Sequence, residues 1–193
     1  MRNESNDNTN PALTPQRIGI LCIGNLLMLD EGVGSRVAAE LLERYEFPSN
    51  VEVLDRGTMG MALLADLKRF DVVLVVDAVD NTGTAPGTVV TFLPEDIAPY
   101  QAFHGAHDTR FIDVLEAAAL LDYKVEGHCL GVQVENMQPA QLTIGLTPPV
   151  EAAVPFLVEC VLGFLEQRGC VPHDRSPATP AAGRLTLHKP DTP

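Results

Sequence analysis

Three polar residues that could carry out chemistry lie in separate segments of the 193-residue chain. Glu31 lies beside Asp30 in CIGNLLMLDEGVG (22–34), where a predicted strand passes into an amphipathic helix. Asp77 follows the apolar run VVLVV, and His107 begins the helical stretch HDTRFIDVL. Because the loops at the carboxyl ends of parallel strands form the ligand crevice of an open sheet, we expect Glu31, Asp77 and His107 to converge there.

The combination of these residue types is that of a transition-metal site. Two carboxylates and one imidazole form an O,O,N ligand set that leaves coordination positions open for water or substrate. Such a set suits nickel, zinc or manganese. His104, three residues before His107, is a rival ligand, although the helix that follows favours His107.

Each of these residues also has a purely structural interpretation. Glu31 or Asp30 can complement the positive end of the helix dipole. Asp77 can cap a turn, and His107 can cap the helix that follows it. Only the combination of the three residue types favours a functional site over three separate structural roles.

Other common chemistries have little support in the sequence. Cys22 stands where a dinucleotide site requires the first glycine of a Gly-x-Gly turn, and the Asp30–Glu31 pair would repel a phosphate at the helix start. None of the four serines lies in a Gly-x-Ser-x-Gly elbow; they are Ser5, Ser35, Ser49 and Ser176. No obvious motif pairs a cysteine with a histidine, so a thiol nucleophile is also disfavoured.

The composition describes an acidic globular protein. Apolar residues make up 46% of the chain, and 26 acids against 13 basic residues give a net charge of −13. Because nucleic-acid binding is driven by lysine and arginine, we expect no nucleic-acid partner. The four cysteines form no CxxC pair, so we expect free thiols in a reducing compartment.

The sequence favours a cytoplasmic protein with no membrane partner. Residues 1–16 are polar and lack the basic start and apolar stretch of a signal peptide. The early apolar run 18–29 is too short to cross a bilayer, and it is interrupted by Gly19, Gly24 and Asn25. We further expect the protein to be a monomer.

Hydrophobic periodicity predicts one folded domain over residues 17–169. A flexible extension, 1–16, precedes it, and a flexible proline-rich tail, 170–193, follows it. Strands are predicted at 18–23, 51–55, 72–78, 88–93 and 129–134, and helices at 33–45, 59–67, 111–121 and after Thr147. Thr147 is the expected side-chain cap of the last helix, which contains Pro155 and is expected to bend or start late there. This alternation predicts a three-layer α/β/α sandwich around a twisted, mainly parallel sheet.

Five separated segments, spread over residues 17–169, resemble those of the nickel–iron hydrogenase maturation endopeptidases. They are CIGNLLMLDEGVG, LDRGTMG, VVLVVDAVD, HDTRFIDVL and IGLTPPVEAA, and they occur in the same order. The resemblance implies an α/β/α protease that removes a short C-terminal extension from the hydrogenase large-subunit precursor after nickel insertion. It implies that Glu31, Asp77 and His107 are the catalytic and metal-binding residues, with nickel recognised in the substrate and bound reversibly.

The chain departs from this family at two positions. Cys22 stands where the family usually has glycine, and Arg56 replaces the first glycine of Asp-Gly-Gly-Thr. A guanidinium at position 56, next to Asp55, can pair with an acid or contact a carboxylate of the substrate. The substrate groove is therefore expected to differ in detail.

Two other functions remain open at this stage. One is a different hydrolase on a related sandwich, of the peptidyl-tRNA hydrolase or nucleoside-cleaving type, although the net charge of −13 opposes RNA binding. The other is a nickel-sensing chaperone that binds the precursor without cutting it. Whether the metal polarises the scissile carbonyl or activates water is also open, because a Lewis acid can do both.

Overall fold

Strands and helices alternate in the computed structural model, which describes residues 15–92 and 111–175. The strands are β1 (Ile18–Ile23), β2 (Tyr45–Glu46), β3 (Val51–Gly57), β4 (Val72–Val79), β5 (Val89–Phe92), β6 (Glu126–Gln133) and β7 (His173–Asp174). The helices are α1 (Val33–Arg44), α2 (Leu64–Leu67), α3 (Phe111–Leu120) and α4 (Pro148–Glu166). Short 3-10 helices, Leu29–Gly32 and Gly60–Leu63, lead into α1 and α2.

Within the described residues, five strands form the central sheet in the order β3-β1-β4-β6-β5. β1 is parallel to both β3 and β4, β4 is parallel to β6, and only β5 is antiparallel to its neighbour. The chain leaves β1 for β3 on one side and then returns to β4 on the other side. The carboxyl ends of β1 and β4 therefore flank the topological switch point, where open α/β sheets place their ligand crevice.

Alternate side chains of the strands pack into two hydrophobic cores, one on each face of the sheet. Ile20 points into a core with Val37 of α1 and Leu157 of α4. The next residue, Leu21, points into a second core with Val114 of α3, because successive side chains of a strand face opposite sides. Helices thus cover both faces of the sheet, and the predicted three-layer, mainly parallel sandwich is confirmed.

Close backbone approach at the first strand–helix passage requires glycine. A Cβ atom on Gly34 would lie 1.9 Å from the carbonyl oxygen of Ile23 at the end of β1. A Cβ on Gly24 would lie 2.5 Å from the carbonyl oxygen of Glu31. The glycines of this segment therefore let α1 start directly against β1, and they are needed for packing rather than for binding a phosphate.

The last helix begins where the sequence predicts, at Pro148, and continues through Pro155 without delay. The side chain of Thr147 makes no capping hydrogen bond to α4, so the expected capping role of this residue is wrong. With a mean hydropathy of 1.5, α4 is long and apolar enough to cross a membrane by length and composition alone. Its buried face, which includes Leu157 and Val161, packs in the first core.

The described structure continues past the predicted domain boundary at Gly169. Cys170 is buried, and β7 pairs antiparallel with β2. Proline content and short length hid this two-residue ladder from the sequence prediction. Residues 1–14 of the predicted extension 1–16, and residues 176–193 of the predicted tail, lie outside the described residues.

All four cysteines are free thiols, as expected. Cys22, Cys129 and Cys170 are buried, and Cys160 is partly exposed. Burial raises the pKa of the Cys22 and Cys129 thiols well above the ordinary range, and nearby aspartates act in the same direction. Cys22 and Cys129 are therefore packing residues rather than nucleophiles.

Candidate active site at the carboxyl edge of the sheet

Two of the three predicted site residues lie at the switch point of the sheet. Cys22 of β1 is in register with Val76 of β4, so Asp77 is the next residue along β4. Glu31 lies in the 3-10 helix that follows the end of β1. The charge of Glu31 raises the pKa of the Asp77 carboxyl, so the two acids share one electrostatic environment.

The Asp77 carboxyl at this edge has a raised pKa. Loss of hydration raises its pKa to about 8, with a further contribution from the negative charge of Glu31. The N–H of Ala78, which donates to Asp77 Oδ1 at 2.7 Å, lowers the pKa by a smaller amount. Groups with a displaced pKa are concentrated at functional sites, which supports the prediction for this residue.

Glu31 is held by a compact turn. It is 3% exposed, and its backbone N–H donates to the carbonyl of Met28 at 3.3 Å. Its own carbonyl accepts from the N–H of Asn25 at 3.0 Å. Both the N–H and the carbonyl of Glu31 are therefore held by hydrogen bonds within the turn.

Asp30 has a different environment from its neighbour Glu31. It is fully buried, and its Oδ2 accepts from the backbone N–H groups of Glu135 and Asn136 at 3.0 and 2.8 Å. Thr147 donates both its N–H, to Oδ1 at 2.6 Å, and its hydroxyl, to Oδ2 at 2.9 Å. Asp30 thus ties the first strand–helix passage to the segment between β6 and α4, a role that the dipole interpretation missed.

The predicted imidazole ligand lies outside the described residues, as does its rival: His107 and His104 both fall in 93–110. Over residues 15–92 and 111–175, no three histidine, cysteine or acidic side chains form a group that could hold a metal ion. Glu31 and Asp77 supply carboxylate oxygens, which divalent cations accept as ligands. A cation that contacted both acids would relieve the unfavourable interaction of their charges.

Arg56 pairs with an acid, one of the two roles considered for it. Its Nε and Nη2 each donate to Asp66 at 2.8 Å, in a bidentate ion pair. Arg69 donates to the same carboxylate at 3.2 Å and also pairs with Glu52. The side chain of Arg56 is therefore engaged with the short helix α2 and tethers it to the end of β3.

A cleft of about 500 Å³ opens between the loops that follow β1 and β3. It is lined by Gly24, Asn25, Leu26, Leu27, Ser35, Asp55, Gly57 and Thr58. At its base, Ser35 donates to Asp55 Oδ1 at 2.8 Å. Sequence reasoning treated Asp55 only as the neighbour of Arg56. Its position at the end of the second long strand is the signal that could have marked it.

The sheet topology and the two acids at the carboxyl ends of β1 and β4 define the class of this protein. It is a doubly wound α/β protein with paired acids at its switch point. The sequence profile of the hydrogenase maturation proteases matches residues 35–164. The chain is 36% identical over 155 residues to the hydrogenase 2 maturation protease of Escherichia coli, covering 79% of this chain and 93% of that protein. It is also 36% identical over 188 residues to a hydrogenase expression/formation protein, HoxM, of Azotobacter vinelandii, covering 92% and 89%.

The solved structure of the hydrogenase maturating endopeptidase HybD from Escherichia coli superimposes with a TM-score of 0.73 and 34% identity. The match covers 83% of this chain and 99% of that one. The chain belongs to the hydrogenase maturation protease family, a family of peptidases. The resemblance drawn from five sequence segments is thereby confirmed.

Proposed function

We propose that this chain is the endopeptidase that removes the C-terminal extension of a nickel–iron hydrogenase large-subunit precursor after nickel has been inserted. The observation that carries the proposal is the placement of Glu31 and Asp77 together at the switch point, in a member of the maturation protease family. In this proposal Glu31, Asp77 and His107 contact nickel that arrives in the substrate. The remaining coordination positions place the scissile bond.

The electrostatics of the two acids support recognition of a loaded precursor. Glu31 is buried, and the pKa of Asp77 is raised to about 8, so a second negative charge at this edge is unfavourable without a compensating cation. A precursor that carries nickel provides that compensation and a nickel-free precursor does not. Each ~1.4 kcal/mol of added coordination energy gives about a tenfold preference for the loaded form. Bound nickel supplies Lewis-acid chemistry, either at the carbonyl or at a water molecule.

The proposed setting is the cytoplasm, where the protein acts as a monomer on its protein substrate. The net charge of −13 disfavours the RNA substrates that a peptidyl-tRNA hydrolase would need. The free thiols of the chain are compatible with a reducing compartment.

The proposal is tested with purified protein and two forms of the precursor, one loaded with nickel and one free of it. Mass spectrometry follows the loss of the C-terminal peptide. We expect cleavage of the loaded form only, and loss of that cleavage in Glu31→Gln and Asp77→Asn. Glu43→Gln is the matched control, because Glu43 is an exposed acid of α1.

Three outcomes would each redirect the assignment. Equal cleavage of both precursor forms would overturn nickel recognition while leaving the peptidase activity. Tight binding of loaded precursor without cleavage would favour the nickel-sensing chaperone. Normal cleavage by His107→Ala, with loss of cleavage in His104→Ala, would move the imidazole role to His104.

A further inference from the structure

Residues 27–30 are bonded to the segment between β6 and α4 along their whole length. The N–H of Thr143 donates to the carbonyl of Leu27 at 2.8 Å, and the N–H of Leu29 donates to the carbonyl of Thr143 at 2.9 Å. The N–H of Asp30 donates to the carbonyl of Asn136 at 3.3 Å. With the four bonds that the Asp30 carboxylate accepts, this segment holds the turn from one side.

The turn held in this way is not a relaxed one. Leu29 has a φ of +54°, in the left-handed region that residues with a Cβ rarely adopt. Strain of this kind persists only where surrounding contacts determine the backbone, and such contacts commonly serve a functional site. Asp30 directly follows Leu29, and its carboxylate makes the strongest of the contacts available here, since hydrogen bonds to a charged acceptor exceed neutral ones.

Because of this strained turn, the adjacent acids Asp30 and Glu31 face different surroundings. Asp30 lies against Asn136 and Thr147, whereas the backbone of Glu31 is bonded to Asn25 and Met28. In a 3-10 helix, successive side chains are about 120° apart. The direction of Asp30 therefore sets the direction of Glu31.

We propose that Asp30 is a positioning residue, which aims the Glu31 carboxylate at the switch point by tying the strained turn to the segment before α4. This inference rests on the proposed role of Glu31. Among the described residues, the Asp30 carboxylate is hydrogen-bonded to Glu135, Asn136 and Thr147 and not to Asp77 or Glu31, so in this proposal it acts through the position of Glu31. A buried acid elsewhere in the fold, such as Asp66, does not have this positioning role.

The test compares Thr147→Val with Thr147→Ser and Asp30→Asn with Asp66→Asn. Thr147→Val removes one bond to Asp30 and no capping bond, because Thr147 has no side-chain cap bond to α4, and Thr147→Ser keeps the hydroxyl. Asp66→Asn is the matched control for Asp30→Asn, since Asp66 is also a buried, hydrogen-bonded acid. Asp66 lies on α2 rather than on the first strand–helix passage.

The first readout is the ¹³Cδ resonance of Glu31, assigned by its absence in Glu31→Gln. It requires neither precursor nor metal and so is independent of the proposed activity. We expect this resonance to move or broaden in Asp30→Asn and Thr147→Val and to stay in place in Thr147→Ser and Asp66→Asn. An unchanged resonance in folded Thr147→Val and Asp30→Asn would overturn the positioning role.

The second readout is precursor cleavage, measured at a temperature where each variant is folded. We expect kcat/KM for the loaded precursor to fall about 10- to 100-fold in Asp30→Asn, the loss typical of a misplaced reacting group. Equal losses of kcat/KM in Asp30→Asn and Asp66→Asn would make Asp30 a merely structural acid. If the resonance moves but kcat/KM does not, Asp30 positions Glu31 and the nickel-contacting role proposed for Glu31 fails instead.

Discussion

The guanidinium of Arg56 holds the buried carboxylate of Asp66 through two hydrogen bonds of 2.8 Å each. This ion pair joins the end of β3 to the short helix α2. Arg69 also contacts Asp66, but from a more exposed position. Arg56 is thus part of the support beneath the cleft rather than a free cation in it.

Replacing Arg56 should therefore change stability more than specificity. Arg56→Ala leaves a buried carboxylate with only its weaker partner, and we expect a loss of about 1–3 kcal/mol in the free energy of unfolding. Urea denaturation at pH 7 measures it, with Arg36→Ala as the control, because the ion pairs of Arg36 with Glu40 and Glu151 are more exposed than the Arg56–Asp66 pair. Unchanged stability together with a raised KM for the precursor would instead indicate contact with the substrate.

The raised pKa of Asp77 predicts how stability depends on pH. The folded protein keeps this proton up to about pH 8, whereas the unfolded chain releases it near 3.9. Because the folded state binds more protons in this window, stability falls as pH rises from about 4 to 8 and then levels off. The contribution of this carboxyl is on the order of a few kcal/mol.

Asp77→Asn should remove that slope. We expect the variant to be more stable than the parent protein above pH 8 and similar to it near pH 4.5, in urea titrations with a chelator present. Glu43→Gln, at an exposed position, should follow the parent curve. Parallel curves for Asp77→Asn and the parent protein would contradict the assignment.

Thiol-directed reagents should leave precursor cleavage intact. The Cys22 and Cys129 thiols are buried and have a raised pKa, so little thiolate is available for reaction. Mass spectrometry of the folded protein after brief alkylation should show modification at the partly exposed Cys160 first. Loss of activity that coincides with modification of Cys22 or Cys129, in a protein that is still folded, would contradict this account.

Much of the fold was predictable because long elements have strong periodic signals. The apolar run that forms β4 and the helical spacing of α1 both lie where the pattern indicates. β6 begins at Glu126, three residues before the predicted start. The prediction missed these residues because Glu126 and His128 are polar and lie at the more exposed end of the strand. The β2–β7 ladder has two residues in each strand and no periodicity to detect.

The sequence suggested which residue types form the candidate site, but it did not show that Asp30 and Glu31 have different partners. The sequence pattern placed Asp30 and Glu31 side by side at a helix start and gave Asp30 only a role at the helix dipole. The partners that distinguish Asp30 lie more than 100 residues away, at Glu135, Asn136 and Thr147. Such contacts form only in the tertiary structure, and no local sequence pattern indicates them.

Truncation tests whether residues 170–175 contribute to the stability of the fold. A chain that ends at Gly169 loses buried Cys170 and the β7 ladder, and we expect a loss of about 1–3 kcal/mol. This corresponds to a fall of about 2–4 °C in Tm per kcal/mol for a domain of this size. A chain that ends at Arg175 should keep both its Tm and its cleavage of the precursor. Loss of cleavage with an unchanged Tm in that longer chain would make residues 176–193 a docking segment.

Gly34 provides the sharpest test of the first strand–helix passage. Its absent Cβ would lie 1.9 Å from the carbonyl oxygen of Ile23, and this neighbour is backbone, so α1 must move away from β1 to admit alanine. We expect Gly34→Ala to cost at least about 3 kcal/mol, at the upper end of overpacking penalties, and to lower cleavage because Glu31 lies on the displaced turn. Gly163→Ala is the matched control, since nothing lies within 4 Å of a Cβ there.

The two variants should change stability in opposite directions. An alanine in the interior of α4 should stabilise the protein by about 0.5–1 kcal/mol, since glycine has the larger conformational entropy in the unfolded chain. Thermal denaturation measures both effects, and cleavage of the loaded precursor shows whether the displacement reaches Glu31. Equal stability in Gly34→Ala and the parent protein would mean that β1 and α1 are not packed as closely as the 1.9 Å approach requires.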